Sequence, residues 1–200
     1  MSEHYFSKTP SSPERPGLLM CRLRGHDFEF VTSSGVFSHR RIDRGTRLLV
    51  ESMVLPEEGG LLDLGCGYGP VGIVAAKLRP GLRVLMTDVN ERAVDLARAN
   101  ARRNGVADVE VRVGDLYEPV GDEVFGAIVS NPPISAGLHR VVEPLVVGAV
   151  GHLADGGTLQ LVVQSRKGGR ALASLVERHL GGCEVVARGG GYRVLMGRMG

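Results

Sequence analysis

Leu61-Leu62-Asp63-Leu64-Gly65-Cys66-Gly67-Tyr68-Gly69-Pro70-Val71-Gly72 is the stretch from which the rest of this chain can be read. An apolar run ends in an acid and three glycines at alternate positions, and a helical pattern begins at Val71. That order describes a buried strand, a tight turn and a helix N-terminus, the geometry that brings backbone N–H groups up to a ligand. Glycines at 65, 67 and 69 let the chain bend where a side chain would clash, and let a ligand lie against bare backbone. The dinucleotide fingerprint G-x-G-x-x-G fails here, because Pro70 stands at its third glycine. An acid two residues before the first glycine suits a cationic ligand end, such as an ammonium, better than a diphosphate. A glycine turn that binds nothing is the plain alternative.

Outward from this turn, strand and helix patterns alternate. Strand 61–64 leads to helix 71–79, stopped by Pro80-Gly81; strand 83–87 ends at Asp88, and Asn90 can cap the next helix. Val109–Val113 alternates and ends at Gly114-Asp115, and Val124–Val129 is a continuous apolar strand ending at Ser130-Asn131-Pro132-Pro133. A helix over roughly 138–153, a strand 159–163, a helix 171–180 and a hairpin 183–187/192–196 complete the pattern. This predicts an α/β fold with a doubly wound, mostly parallel seven-stranded sheet closed by one antiparallel strand. Residues 1–59 read as an N-terminal cap and 60–200 as the core. In the cap, Pro10, Pro13 and Pro16 punctuate a polar start, short strands fall near 18–24 and 28–31, and Asp43 can cap a helix ended by Pro56.

Ligands of open α/β sheets bind beyond the carboxyl ends of the strands. Four successive strand ends carry Asp63, Asp88, Asp115 and Asn131. Asp88 lies 25 positions after Asp63 (88 − 63), where a carboxylate can accept both ribose hydroxyl protons. Asp115 can accept from an adenine amine with Leu116 against the ring. The glycine run resembles motif I of class I S-adenosylmethionine methyltransferases, which makes Asp63, Gly65, Cys66, Gly67, Gly69, Asp88, Val89, Asp115 and Leu116 the expected cofactor residues. In Asn131-Pro132-Pro133-Ile134, two prolines stiffen the corner and remove two N–H donors. The Asn131 amide oxygen and the Pro132 carbonyl are then free to accept both protons of an exocyclic amine, so that transfer is an in-line displacement governed by positioning. An ordinary Asn-Pro turn is the competing reading.

That tetrapeptide resembles the (N/D)-P-P-(Y/F/W) motif of amino-group methyltransferases. His4-Tyr5-Phe6-Ser7, Gly35-Val36-Phe37-Ser38, Ile42-Asp43-Arg44-Gly45-Thr46, Asp88-Val89-Asn90-Glu91-Arg92-Ala93 and Gly191-Tyr192-Arg193-Val194 extend the likeness over nearly the whole chain. Together they resemble the small-subunit ribosomal RNA guanine-N2 methyltransferase family. The resemblance implies methyl transfer from S-adenosylmethionine to a guanine N2 in ribosomal RNA, with Asn131, Pro132, Pro133 and Ile134 at the target amine. A protein glutamine-amide methyltransferase and a non-catalytic S-adenosylmethionine-binding module are the rivals. The fourth motif residue is Ile134, not an aromatic, so base stacking falls to Phe37 or Tyr68. Some members carry a second, degenerate domain before the catalytic one, where this chain offers only its cap. Arg40, Arg41, Arg166 and Lys167 are the candidates to flank the pocket and meet phosphates.

Composition sets bounds. Net charge is +2 over 200 residues, which does not by itself argue nucleic acid. Cys21, Cys66 and Cys183 form no C-x-x-C spacing and read as free thiols of a reducing compartment, with no zinc site. No apolar run approaches membrane-spanning length, and a cytoplasmic protein without metal is expected.

Overall fold

A computed structural model describes residues 15–36, 41–106, 108–134 and 138–200. The elements are β1 (Pro16–Leu23), β2 (His26–Ser33), α1 (Arg44–Ser52), β3 (Gly60–Leu64), α2 (Pro70–Leu78), β4 (Arg83–Asp88) and α3 (Glu91–Arg103). They continue with β5 (Glu110–Val113), β6 (Phe125–Ser130), α4 (Glu143–His152), β7 (Leu153–Gln164), α5 (Gly169–Leu180), β8 (Glu184–Gly189) and β9 (Tyr192–Arg198).

The main sheet has seven strands in the order β5-β4-β3-β6-β7-β9-β8. β9 runs antiparallel to both of its neighbours, and the pairs among β3 to β7 are parallel. Strand order therefore reverses between β3 and β6, the place where an open sheet leaves a crevice beyond its strand ends. Alternation along β3 sends Leu61 into the core on the α1, α2 and α3 face and Leu62 and Leu64 into the core on the α4 and α5 face.

Polar residues do part of the assembly. On α3, Asn100 and Asn104 act on β2 as though they were another strand. Asn100 receives the Val31 N–H at 2.7 Å and donates to the Val31 carbonyl at 2.9 Å, while Asn104 receives the Glu29 N–H and donates to the Glu29 carbonyl. Side-chain amides thus satisfy the open edge of the β1–β2 hairpin, which otherwise pairs only with itself. Asn100 also donates to the Tyr68 carbonyl at 2.9 Å, tying hairpin and helix to the glycine turn. Gln160, buried on β7, exchanges two hydrogen bonds with the backbone of Val54 just past α1.

Two expectations change. The helix expected from 138 to 153 is a π-helical turn over Leu138–Val142 followed by α4. Pro144 lacks the N–H needed to carry an α-helix through, so it starts a new one. The strand expected over 159–163 begins at Leu153, with an irregularity opposite Phe125 and Ala127. The Asp155-Gly156-Gly157 segment lies inside this strand, at its distortion.

Candidate active site

The four glycines of the turn divide into two pairs. Gly65 and Gly67 have φ of 75° and 58°, and a Cβ added to either meets nothing within 4 Å. They present bare backbone to the crevice. A Cβ on Gly69 would lie 2.8 Å from Ile73, and one on Gly72 would lie 2.6 Å from Met86, so these two allow α2 to pack. A Cβ on Gly69, also among the expected cofactor residues, would point into the protein. Gly65 and Cys66 donate to the Thr87 carbonyl at 2.8 and 2.9 Å, which pins the turn to the end of β4.

Two carboxylates lie under this cradle. Asp63 is 2% exposed, and its Oδ2 accepts the Gly72 N–H at 2.8 Å. Burial pushes its carboxyl up to about 7; the Gly72 N–H opposes the shift and the Asp88 charge adds to it. Asp88 accepts the Gly67 N–H through Oδ2 at 2.8 Å and the Asn90 N–H through Oδ1 at 2.9 Å. Its carboxyl is also raised by burial, against the hydrogen bonds from Asn90, Gly67 and Val89. A cationic ligand end beside them would favour the charged form of both carboxyls. The buried Cys66 thiol is pushed well up by burial and then by Asp88 and Asp63, which leaves it a packing residue and no nucleophile.

Gly114 donates to the Asp88 carbonyl at 3.0 Å, joining the ends of β4 and β5. Beyond it Asp115 is exposed, and half-buried Leu116 holds φ at 46°. A leucine in the left-handed region is strained by about 1–2 kcal/mol, a cost that concentrates at binding sites.

At the end of β6, the Ser130 hydroxyl donates to the Leu64 carbonyl at 2.6 Å, drawing the Asn-Pro-Pro corner against the glycine turn. The Asn131 Nδ2 donates to Thr46 Oγ1 at 2.9 Å and to Asp43 Oδ2 at 3.3 Å. The same Asp43 oxygen caps α1 by accepting from Gly45 and Thr46. A carboxylate can only accept, so the Asn131 NH2 must point to α1, and among the described residues nothing donates to its Oδ1. The Pro132 carbonyl, expected to be free, already accepts the Ile134 N–H at 2.9 Å and keeps one lone pair. Ile134 packs with the α4–α5 core, and a Cβ on Gly168 would lie 3.0 Å from it.

Tyr68 is not available for stacking. It is 2% exposed and meets Phe30 edge to face at 5.6 Å, within a cluster that includes Phe28. Phe37 and Arg40 lie outside the described residues. Arg41, Arg166 and Lys167 are exposed, the last two on the turn between β7 and α5. A groove of about 540 Å³ between the hairpin and the far ends of α2 and α3 belongs to the opposite end of the helices from this crevice. Among the described residues, no cluster could hold a metal ion and no helix is long and apolar enough to cross a membrane. Thr46, Asn100 and Asn104 escaped the sequence reading, although Asp43-Arg44-Gly45-Thr46 at a helix start marked the first of them.

The strand order, the bare glycine cradle above paired carboxylates and the Asn-Pro-Pro corner together define a class I methyltransferase, with S-adenosylmethionine as its methyl donor. More narrowly, the chain belongs to the methyltransferase small domain family, whose sequence profile matches residues 27–196. It is 40% identical to the uncharacterized protein YbxB of Bacillus subtilis (strain 168), over 98% of each chain. It is 36% identical to ribosomal RNA small subunit methyltransferase C of Ectopseudomonas mendocina, over 96% of this chain and 58% of that one. A T. thermophilus 16S rRNA N2 G1207 methyltransferase (RsmC), solved with AdoMet and guanosine, superposes with a TM-score of 0.84 at 24% identity over 94% of this chain and 52% of that one. The chain thus spans about half the length of these two methyltransferases.

Proposed function

We propose that this chain methylates the exocyclic N2 amine of a guanine in small-subunit ribosomal RNA. The observation that carries the reading is the locked carboxamide of Asn131, whose NH2 is spoken for by Thr46 and Asp43 and whose Oδ1 is left for a donor. An amine is such a donor. Asn131 Oδ1 and the remaining lone pair of the Pro132 carbonyl accept its two protons and turn its nitrogen toward the cradle. S-adenosylmethionine supplies an activated methyl group on a cationic sulfonium. The protein's part is to orient the amine and to meet the positive charge growing on nitrogen with fixed dipoles.

The remaining roles follow the strand ends. Asp88 meets the ribose hydroxyls with the accepting capacity that the Gly67, Asn90 and Val89 N–H groups leave on its carboxylate. Asp63 attracts the ammonium of the methionine moiety, while Asp115 and Leu116 border the adenine. The names of the relatives support RNA as the acceptor.

The deciding experiment incubates the protein with tritiated S-adenosylmethionine and 16S ribosomal RNA, then identifies the labelled nucleoside by mass spectrometry. N2-methylguanosine is expected, and Asn131→Ala should abolish it while S-adenosylhomocysteine still binds. Label found only on protein would instead support a glutamine-amide acceptor, and a fully active Asn131→Ala would remove the amine-holding role.

A further inference from the structure

Arg83, Arg98, Arg103 and Arg112 are ion-paired with Glu123, Asp95, Glu29, and Glu110 with Glu123, all on the β4–β5 side or along the hairpin. The other half of the sheet differs. Residues 164–170 and 186–193 hold five cations, Arg166, Lys167, Arg170, Arg188 and Arg193, and no carboxylate. Among the described residues none of the five is in a salt bridge.

Topology brings these segments to the rim of the site. β9 starts opposite the end of β7, with Tyr192 against Gln164 and Arg193 against Val163, so the β8–β9 tip stands at the carboxyl end of the parallel strands. Arg188 and Arg193 are direct cross-strand partners and share one face of the sheet. Like charges directly opposite each other are unfavourable. Arg193 Nε donates to Ser165 Oγ at 3.3 Å, and its guanidinium lies against the start of α5, beside Gly169. The preceding residue, Gly168, abuts Ile134 of the Asn-Pro-Pro corner. The glycines 189–191 at the tip leave it without side chains, and Arg44 borders it from α1.

We infer that the β7–α5 turn and the β8–β9 tip form the face on which the RNA backbone beside the target nucleotide lies, its phosphates relieving the Arg188–Arg193 repulsion. The inference rests on the guanine reading above. Several cations on two adjacent turns suit a strand of regularly spaced phosphates better than a single small anion, and the bare tip admits close approach. The opposite rim, where arginines are neutralised by glutamates, is left out of the RNA path.

The test is the salt dependence of RNA binding, measured by fluorescence anisotropy on a labelled 16S fragment. Removing one phosphate contact lowers the log–log slope by roughly 0.7–1, so Lys167→Ala with Arg188→Ala should lower it by roughly 1.4–2 and weaken binding about tenfold or more at 0.15 M salt. Arg102→Ala with Arg178→Ala removes the same charge from the far ends of α3 and α5 and should leave the slope in place. S-adenosylhomocysteine affinity, read by calorimetry, reports that each variant is folded. An unchanged slope in the first pair, or an equal drop in both pairs, would overturn the inference. If RNA bound through these residues but was never labelled, the docking face would stand and the guanine reading would fall. If RNA was methylated and the two pairs behaved alike, the reverse would hold.

Discussion

Thr46→Val isolates the contribution of the N-terminal segment to chemistry. The side chain is 6% exposed and valine has nearly its shape, so the change is confined to the hydroxyl that accepts from Asn131 Nδ2 at 2.9 Å. A neutral hydrogen bond of this kind is worth about 0.5–1.5 kcal/mol net. Without it the Asn131 amide keeps only its 3.3 Å contact to Asp43, and the flipped rotamer, with NH2 toward the amine, gains population. A loss of about 1–1.4 kcal/mol in the productive orientation corresponds to roughly a five- to tenfold fall in the methyl-transfer rate. Thermal midpoint should drop by only about 2–4 °C per kcal/mol lost in a chain of this size. The assay is single-turnover methylation of RNA at saturating donor, beside calorimetry with S-adenosylhomocysteine. The rate should fall with donor affinity unchanged, and Thr46→Ser, which restores the hydroxyl, should recover it to within about twofold. An unimpaired Thr46→Val, or one whose donor affinity falls in step with its rate, would refute the orienting role and leave Thr46 a packing residue.

Two further outcomes are expected. Gly67→Ala and Gly72→Ala should fail differently: the first places a methyl in open crevice and should weaken S-adenosylhomocysteine binding at least tenfold for about 1 kcal/mol of backbone strain. Gly72→Ala drives a Cβ to 2.6 Å from Met86 and should lower stability by about 1–3 kcal/mol, so equal melting temperatures for the two would contradict the division of the glycines. Asp63 has an ordinary value of 3.8 and is raised to about 7 in the fold, so the folded state holds its proton over that interval and stability falls as pH rises through it. Melting of the ligand-free protein from pH 4 to 8 should show that decline, flattened in Asp63→Asn, which keeps an oxygen for Gly72; an unaltered profile would mean that another group titrates.

Much of this was legible because local signals agreed with one another. Apolar runs ending in Asp63, Asp88, Asp115 and Asn131 located the strand ends, and strand ends locate the crevice. What stayed hidden depends on partners distant in sequence. Asn100 and Asn104 look like the solvated side of a helix, yet they bind a strand about 70 positions earlier, at Val31 and Glu29. Tyr68 sits in the glycine turn as if aimed at a ligand, but Phe28 and Phe30 of the hairpin claim its ring, and only their packing tells the two apart. The glycines are identical in sequence, and their division into an open pair and a helix-packing pair is a matter of Cβ direction alone.

The Asp43–Thr46–Asn131 contact also bears on how the chain is divided. Read by pattern, residues before 60 are a cap set against a core. Yet the Asp43 carboxylate starts α1 and orients the amide at the end of β6, 88 positions on. Asn100 joins the hairpin to the Tyr68 carbonyl of the glycine turn in the same way. One polar side chain satisfying two elements makes their positions interdependent, because moving either element strands a buried donor at a cost of about 1–3 kcal/mol. If Asn131 holds the amine as proposed, the segment before residue 60 is the wall that decides which atom of Asn131 meets it.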